Sequence, residues 1–270
     1  MTQVYSPTAL KTYLTEGAAT VFGHLQPSCM TVIHSIIEIQ QSLEISGNIA
    51  EIGVLMGKSF ILLALSLKND EVALAIDRFE TPDRPDLARG DFEATFLANV
   101  ARFVADSSAV RSIKMLSEQI TPRQMRRLSG ADVRLFSIDG DHARAAVTHD
   151  FALARSVLAP AGVIIFDDFL NPLCLGVTEA IYDYFFRNED RPQGEEAFVP
   201  FAVTPLRGSF LQGSGKLFVC RKAVSACYRE MLGRIHPRCY VGQLLGHEIA
   251  CIDFDETLAK RYLLPTDAAP

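Results

Sequence analysis

No two of the six cysteines form a C-x-x-C pair. Cys29, Cys174, Cys220, Cys227, Cys239 and Cys251 are scattered, with neither a zinc-ligand spacing nor a disulfide framework. The expectation is reduced thiols in a cytoplasmic protein. The sequence also lacks a surplus of positive charge: its net charge is −6, which argues against a nucleic-acid partner. The one basic run, Arg123 to Arg127, follows Thr121-Pro122 and reads as the solvated face of a helix. No basic segment followed by an apolar one opens the chain, so no signal peptide is expected. No apolar run is long enough to span a bilayer, so no membrane partner is expected either. Internal repeats and low-complexity segments are absent. Apolar residues make up 49% of the 270, ample for one large core with appendages.

What is present is an alternation. Ser6-Pro7 reads as the cap and first residue of a short helix reaching Gly17, and a longer helix covers 28–45. Apolar strands are then expected at 48–54, 71–77, 112–116, 133–139 and 162–168. Helical segments fall at 58–67, 92–106, 121–128, 145–158 and 176–186, with a loop at 78–91. Two further strands, "FVPFAVTP" and "GKLFVCRK", read as a closing antiparallel hairpin joined by a Gly/Ser-rich connector. A helix near 223–234 and an irregular tail follow. The expected fold is α/β: a doubly wound, mostly parallel seven-stranded sheet with an antiparallel C-terminal hairpin and an N-terminal helical cap. The expected organisation is a cap over 1–47, a ligand-binding core over 48–222, and a C-terminal helix and tail over 223–270.

The stretch "EIGVLMGKS" (51–59) is one residue short of a phosphate-binding loop. It holds three residues, not four, between Gly53 and Gly57, and the fingerprint of a dinucleotide loop fails at Leu55. Glu51 would repel phosphates. Lys58 is expected to face solvent. Asp77 ends the second strand 20 residues past Gly57, where an acid meets a ribose hydroxyl in nucleoside-binding sheets. A nucleoside without phosphates fits this set better, and S-adenosylmethionine is such a ligand. Glu51 would counter its cationic end, Gly53 and Gly57 would allow close approach, the helix start at Ser59 would take its carboxylate, and Asp77 would hold the ribose.

A second cluster lies in "FSIDGDHA" and "IIFDDF", the ends of the fourth and fifth strands. Asp139, Asp141, His142, Asp167 and Asp168 would surround one crevice. Carboxylates gathered in that way call for a hard divalent cation such as Mg²⁺. His142, with an unperturbed pKa of about 6.5, suits a general base. Its neutral alternative is a helix cap or a support for Asp141. His24 and His34 in the cap, and Asn171 after "DDF", are weaker candidates. His149 and Asp150 read as surface residues.

On these motifs the sequence resembles class I methyltransferases. "EIGVLMGKS" is similar to the first motif of catechol O-methyltransferase and its relatives, and "DGDH" to the signature of a bacterial group that methylates sugars and natural products. The resemblance covers about residues 48–220. It implies a Rossmann-like core, an adenosine-side contact at Ser117, cofactor contact at Asp139, and a metal held by Asp139, Asp167 and Asp168. His142, three residues past Asp139, takes the place of the family's general-base lysine. In that group "DGDH" is followed by Ser-Tyr; here Ala143 and Arg144 follow. The implied activity is methyl transfer from S-adenosylmethionine to a hydroxyl of a small molecule, with a divalent metal assisting. Two alternatives stand beside it: a nucleotide hydrolase using "GVLMGKS", and a non-catalytic binding protein on the same fold. Whether the chain forms a homo-oligomer is left open.

Overall fold

The computed structural model describes residues 5–80, 91–189, 191–204 and 215–253. Most of the expected 78–91 loop, the hairpin connector and the last 17 residues lie outside that set.

The chain begins with α1 (Pro7–Thr12), capped by the Ser6 hydroxyl, which accepts the Ala9 N–H. A single wide turn, Tyr13–Gly17, extends it to the expected end. Helix α2 (Pro27–Ser42) is buried around most of its circumference. The alternating unit follows: β1 (Asn48–Ile52), α3 (Lys58–Ala64), β2 (Ala73–Asp77), α4 (Phe92–Phe103), β3 (Val110–Lys114), α5 (Pro122–Ser129), β4 (Val133–Ile138), α6 (Arg144–Val157), β5 (Leu158–Phe169) and α7 (Leu175–Arg187). Then come β6 (Phe198–Val203), β7 (Gly215–Arg221), α8 (Lys222–Ile235), β8 (Cys239–Leu244) and β9 (His247–Ile252).

Among the described residues, one sheet collects nine strands in the order β3-β2-β1-β4-β5-β7-β6-β9-β8. Strands β1 to β5 pair in parallel, and β7 lies antiparallel between β5 and β6. The expected seven strands are present, and β8 and β9 extend the sheet beyond them. The stretch expected as an irregular tail thus begins as a hairpin whose strand β9 runs parallel to β6. Its two-residue turn, Leu245-Gly246, has positive φ at both positions (54° and 79°), the backbone that matches the twist of paired strands.

Successive strand residues alternate between two apolar layers. Ile49, Ala73, Ala75, Leu135, Val163 and Ile165 face the layer built with α2, α3, α4 and α8. Ala50, Leu74, Ile76, Phe136, Ile164 and Phe166 face the layer built with α5, α6 and α7. Both faces are covered, so the strands read as continuous apolar runs. Near the start of β4 the wholly buried Arg134 is held by Glu71 (3.0 Å), the Gln40 side chain (2.8 Å) and the Ser66 carbonyl (2.7 Å). Losing one partner of such a buried pair costs about 3–5 kcal/mol, because the other charge is left uncompensated. This network fixes the end of the sheet remote from the site. Among the described residues, no helix is long and apolar enough to cross a membrane.

Candidate active site

The carboxyl ends of β1, β2, β4 and β5 open onto a cavity of about 600 Å³. Its walls include Gly53, Leu55, Asp77, Ser117, Asp139, His142, Asp167 and Asp168. In an open parallel sheet this is where ligands bind.

The β1 loop is shaped by close approach. Gly53 has φ +84°, and a Cβ placed there would lie 1.9 Å from the Asp139 carbonyl oxygen. Only glycine lets β1 and β4 end side by side. Leu55 follows at φ +48°, a conformation costly for a branched side chain, and its N–H donates to Asp77 Oδ2 at 2.9 Å. The other Asp77 oxygen accepts the Phe79 N–H at 2.7 Å. Asp77 therefore joins the β1 loop to the end of β2 and still faces the cavity.

Other expected cofactor residues are placed differently. Glu51, Gly57 and Ser59 do not line the cavity. Glu51 is fully buried behind it, where its Oε1 accepts the hydroxyls of Ser59 (2.7 Å) and Ser137 (3.0 Å). Burial raises its carboxyl to about 7, against the pull of those hydroxyls and of Lys216. The Ser59 hydroxyl is thus turned inward and not toward a ligand. Lys58 does not face solvent freely: its Nζ donates to the Gly23 carbonyl at 3.0 Å, and its own carbonyl accepts the Tyr13 hydroxyl at 2.7 Å. These bonds tie the N-terminal segment to α3. They leave the nucleotide-hydrolase alternative without its phosphate-binding lysine.

The acid cluster is brought together as the strand order requires. Oxygens of Asp139, Asp167 and Asp168 lie within 4.8 Å of one another. A bulge sets this up: β5 pairs Phe166 with Leu217 and Phe169 with Gly215, so Asp167 and Asp168 stand opposite the single residue Lys216. Asp168 takes φ +58° there. The buried Lys216 Nζ lies 2.6 Å from Asp167 Oδ2. Burial alone would lower its pKa, but Asp167 and Asp139 hold its ammonium above the usual lysine range. Asp167 Oδ1 accepts the Asp168 N–H at 2.9 Å. Asp168 Oδ1 accepts the Asn171 amide at 2.6 Å, and Asp168 Oδ2 faces His142 Nε2 at 3.0 Å. Asp139 Oδ1 stands 3.9 Å from the same nitrogen. Burial, together with the neighbouring Asp167, pushes the Asp139 carboxyl well above its ordinary value.

His142 also meets Cys174 Sγ through Nδ1, at 3.1 Å. The neighbouring carboxylates of Asp139 and Asp168 push its imidazole up to about 10, so the ring is a cation at neutral pH, not the near-neutral group expected from the sequence. Of the weaker candidates, His24 reaches the cavity wall, while His34 is buried beside Glu38 and does not. Asn171 is a buried support for Asp168, in the turn role. Asp150, expected on the surface, is fully buried: its Oδ2 lies 3.4 Å from where a Cβ on Gly140 would stand. His149 Nε2 lies 3.0 Å from both the Ser117 and Ile120 carbonyls and so supports the Ser117 turn. The sequence signal missed for Lys216 was a charged residue inside an apolar strand, "GKLFVC".

Does a divalent cation fit this donor set? The three carboxylates are close enough together, but protein groups already contact all four oxygens of Asp167 and Asp168. Two of those partners, Lys216 and His142, are cations. Their positive charges already stand where a divalent ion would have to bind, and like-charge repulsion opposes Mg²⁺ there.

Residues 50–169 match a family model described as a methyltransferase domain. Solved O-methyltransferases share the fold. NovP superposes with a TM-score of 0.55 at 13% identity, over 80% of this chain and 97% of its own. TomG from Streptomyces achromogenes, involved in tomaymycin synthesis and solved in complex with S-adenosylmethionine, gives 0.51 at 14% identity, over 81% and 91%. No curated protein matches the chain.

Proposed function

We propose that the protein transfers a methyl group from S-adenosylmethionine to a hydroxyl of a small molecule. The observation that carries this reading is one cavity with two chemistries. Gly53, Leu55, Asp77 and Ser117 line it with the residue types that suit a nucleoside, and Asp139, His142 and Asp168 line it with acid–base groups. The Gly53 cradle, which a Cβ would fill, suits a cofactor lying against the β1 loop. The fold shared with NovP and TomG supports the same reading.

When bound, the cofactor supplies an electrophilic sulfonium methyl. The chain's residues do the rest. Asp77 accepts ribose hydroxyls with lone pairs its two backbone partners leave free. Ser117 lies along the adenosine side. The acceptor hydroxyl docks against the Asp139–His142–Asp168 group. His142 accepts the hydroxyl proton as a neutral base, and its carboxylate neighbours stabilise the imidazolium that forms. The O–H proton would pass to the His142 ring nitrogen, and the cofactor would supply the methyl group for the new O–CH₃ bond and leave as S-adenosylhomocysteine. His24 and the 78–80 segment, at the cavity mouth, shape the acceptor's site.

The test is calorimetric titration with S-adenosylhomocysteine, followed by transfer of an isotope-labelled methyl group to a panel of phenols, sugars and other alcohols. Binding together with an O-methyl product supports the reading. A folded protein that binds no S-adenosylhomocysteine overturns it, and tight binding without turnover on any hydroxyl leaves the non-catalytic alternative.

A further inference from the structure

We propose that Lys216 is a resident cation that stands in for a divalent metal in the acid cluster, so that the site activates its acceptor without one. This rests on the methyl-transfer reading for its purpose, but the cation assignment stands on geometry alone.

Lys216 occupies the one position opposite the β5 bulge that presents Asp167 and Asp168. Its ammonium reaches Asp167 Oδ2 at 2.6 Å from behind the cavity wall, since Asp167 lines the cavity and Lys216 does not. The lysine is fixed at its root: its N–H donates to the Thr204 hydroxyl at 2.7 Å, and its carbonyl accepts the Thr204 N–H at 3.0 Å. The Thr204 hydroxyl in turn meets Cys29 Sγ at 3.3 Å, which encloses the chain from the α2 side. A buried lysine in an otherwise apolar strand is costly to keep unless its charge has work to do. Here it stands against Asp167 and close to Asp139 and the buried Glu51.

The arrangement leaves the cavity face of the cluster with its charge largely met. Lys216 answers Asp167 from the rear, and His142 answers Asp168 and Asp139 from the front. A divalent ion bound by Asp167 would have to share that carboxylate with a buried ammonium, which like-charge repulsion in a low-dielectric setting opposes. Lys216 touches neither acceptor nor cofactor. It is a positioning residue: its ammonium holds the Asp167 carboxylate in place so that the Asp139–His142–Asp168 group can meet the hydroxyl.

The experiment uses the full chain and Mn²⁺ alone as the probe, read by electron paramagnetic resonance and calorimetry, with no methyl transfer required. Wild type is expected to show no stoichiometric Mn²⁺ site, and Lys216→Met, which removes the ammonium beside Asp167, is expected to gain one, with affinity higher by at least about tenfold. Lys216→Gln serves the same purpose should the methionine variant fail to fold, and circular dichroism reports which variants do. Lys216→Arg, which keeps the charge, is expected to behave like wild type. A single tight Mn²⁺ site in wild type that Asp167→Asn removes would overturn the proposal, as would folded Lys216 variants that still bind none. Where an acceptor has been found, methyl transfer should persist after exhaustive chelation, and its loss, restored by Mg²⁺, counts against the proposal. Failure of the methyl-transfer reading would show as no S-adenosylhomocysteine binding and would leave the Mn²⁺ result intact.

Discussion

Gly53 and Asp139 are in contact through their backbones: the Gly53 Cα stands so near the Asp139 carbonyl that no side chain fits between them. That contact joins the cofactor loop to the strand end that carries the acid cluster. Gly53→Ala would force a Cβ to within 1.9 Å of the carbonyl oxygen, at a φ of +84° that L side chains avoid. The expected result is a loss of about 3 kcal/mol or more of stability, from strain and strand displacement combined. It should be accompanied by loss of S-adenosylhomocysteine binding. Chemical denaturation of the two proteins checks this; an unchanged midpoint would show that the strand ends separate without cost.

Asp77 has two tasks that can be measured apart. It holds the Leu55 and Phe79 N–H groups, and it faces the cavity. Asp77→Ala should weaken cofactor affinity by about 1.5–3 kcal/mol, the range of a charge-assisted hydrogen bond. Asp77→Asn keeps one acceptor oxygen and should fall between the two. Calorimetry on folded variants decides, and equal affinity in all three would remove Asp77 from the ribose site.

The pH dependence of turnover should carry the mark of His142. Its folded-state pKa is raised to about 10 by the carboxylates of Asp139 and Asp168 beside it. A base must be neutral to accept a proton, so the rate should climb through the alkaline range and not level off near neutrality. Asp168→Asn removes one of the two acceptors and should move that ascending limb toward lower pH. His142→Ala should cut turnover by about 10²- to 10⁴-fold with cofactor affinity kept. A profile already flat at pH 7 in wild type would count against His142 as the base in this environment.

The order of strands and helices was legible because each apolar run of the parallel sheet is bounded by turn residues, as at Gly47 and Gly53 around β1. The acid cluster was legible for a topological reason: β4 and β5 are neighbours, so residues at their ends must meet. The β8–β9 hairpin was not, since its turn begins with Leu245 where an Asn or Asp would have signalled it. Nor was the direction in which side chains point. Glu51 and Ser59 lie in the right motif, yet they face each other behind the wall. The partnership of Lys216 with Asp167 depends on a bulge that brings residues 49 positions apart into contact, and no local spacing encodes it.

Glu51 offers a stability prediction of definite sign. Its carboxyl titrates at about 7 in the folded protein, against an ordinary value of 4.5, chiefly because burial penalises the ionised form. Between those two values the folded chain holds a proton that the unfolded chain has released, so this group makes stability fall as pH rises. Below 4.5 both states are protonated and no penalty remains; above 7 the penalty is complete. Glu51→Gln removes the ionisable group, and its amide oxygen can still accept the hydroxyls of Ser59 and Ser137. The variant should therefore be more stable than wild type by on the order of 2–3 kcal/mol at pH 8. At pH 4.5 the difference should shrink to the small cost of exchanging a carboxylic acid for an amide. Urea unfolding of both proteins across that range measures the difference directly. A gap that stays constant with pH would mean that Glu51 keeps its charge throughout, held by Lys216 more firmly than burial opposes it.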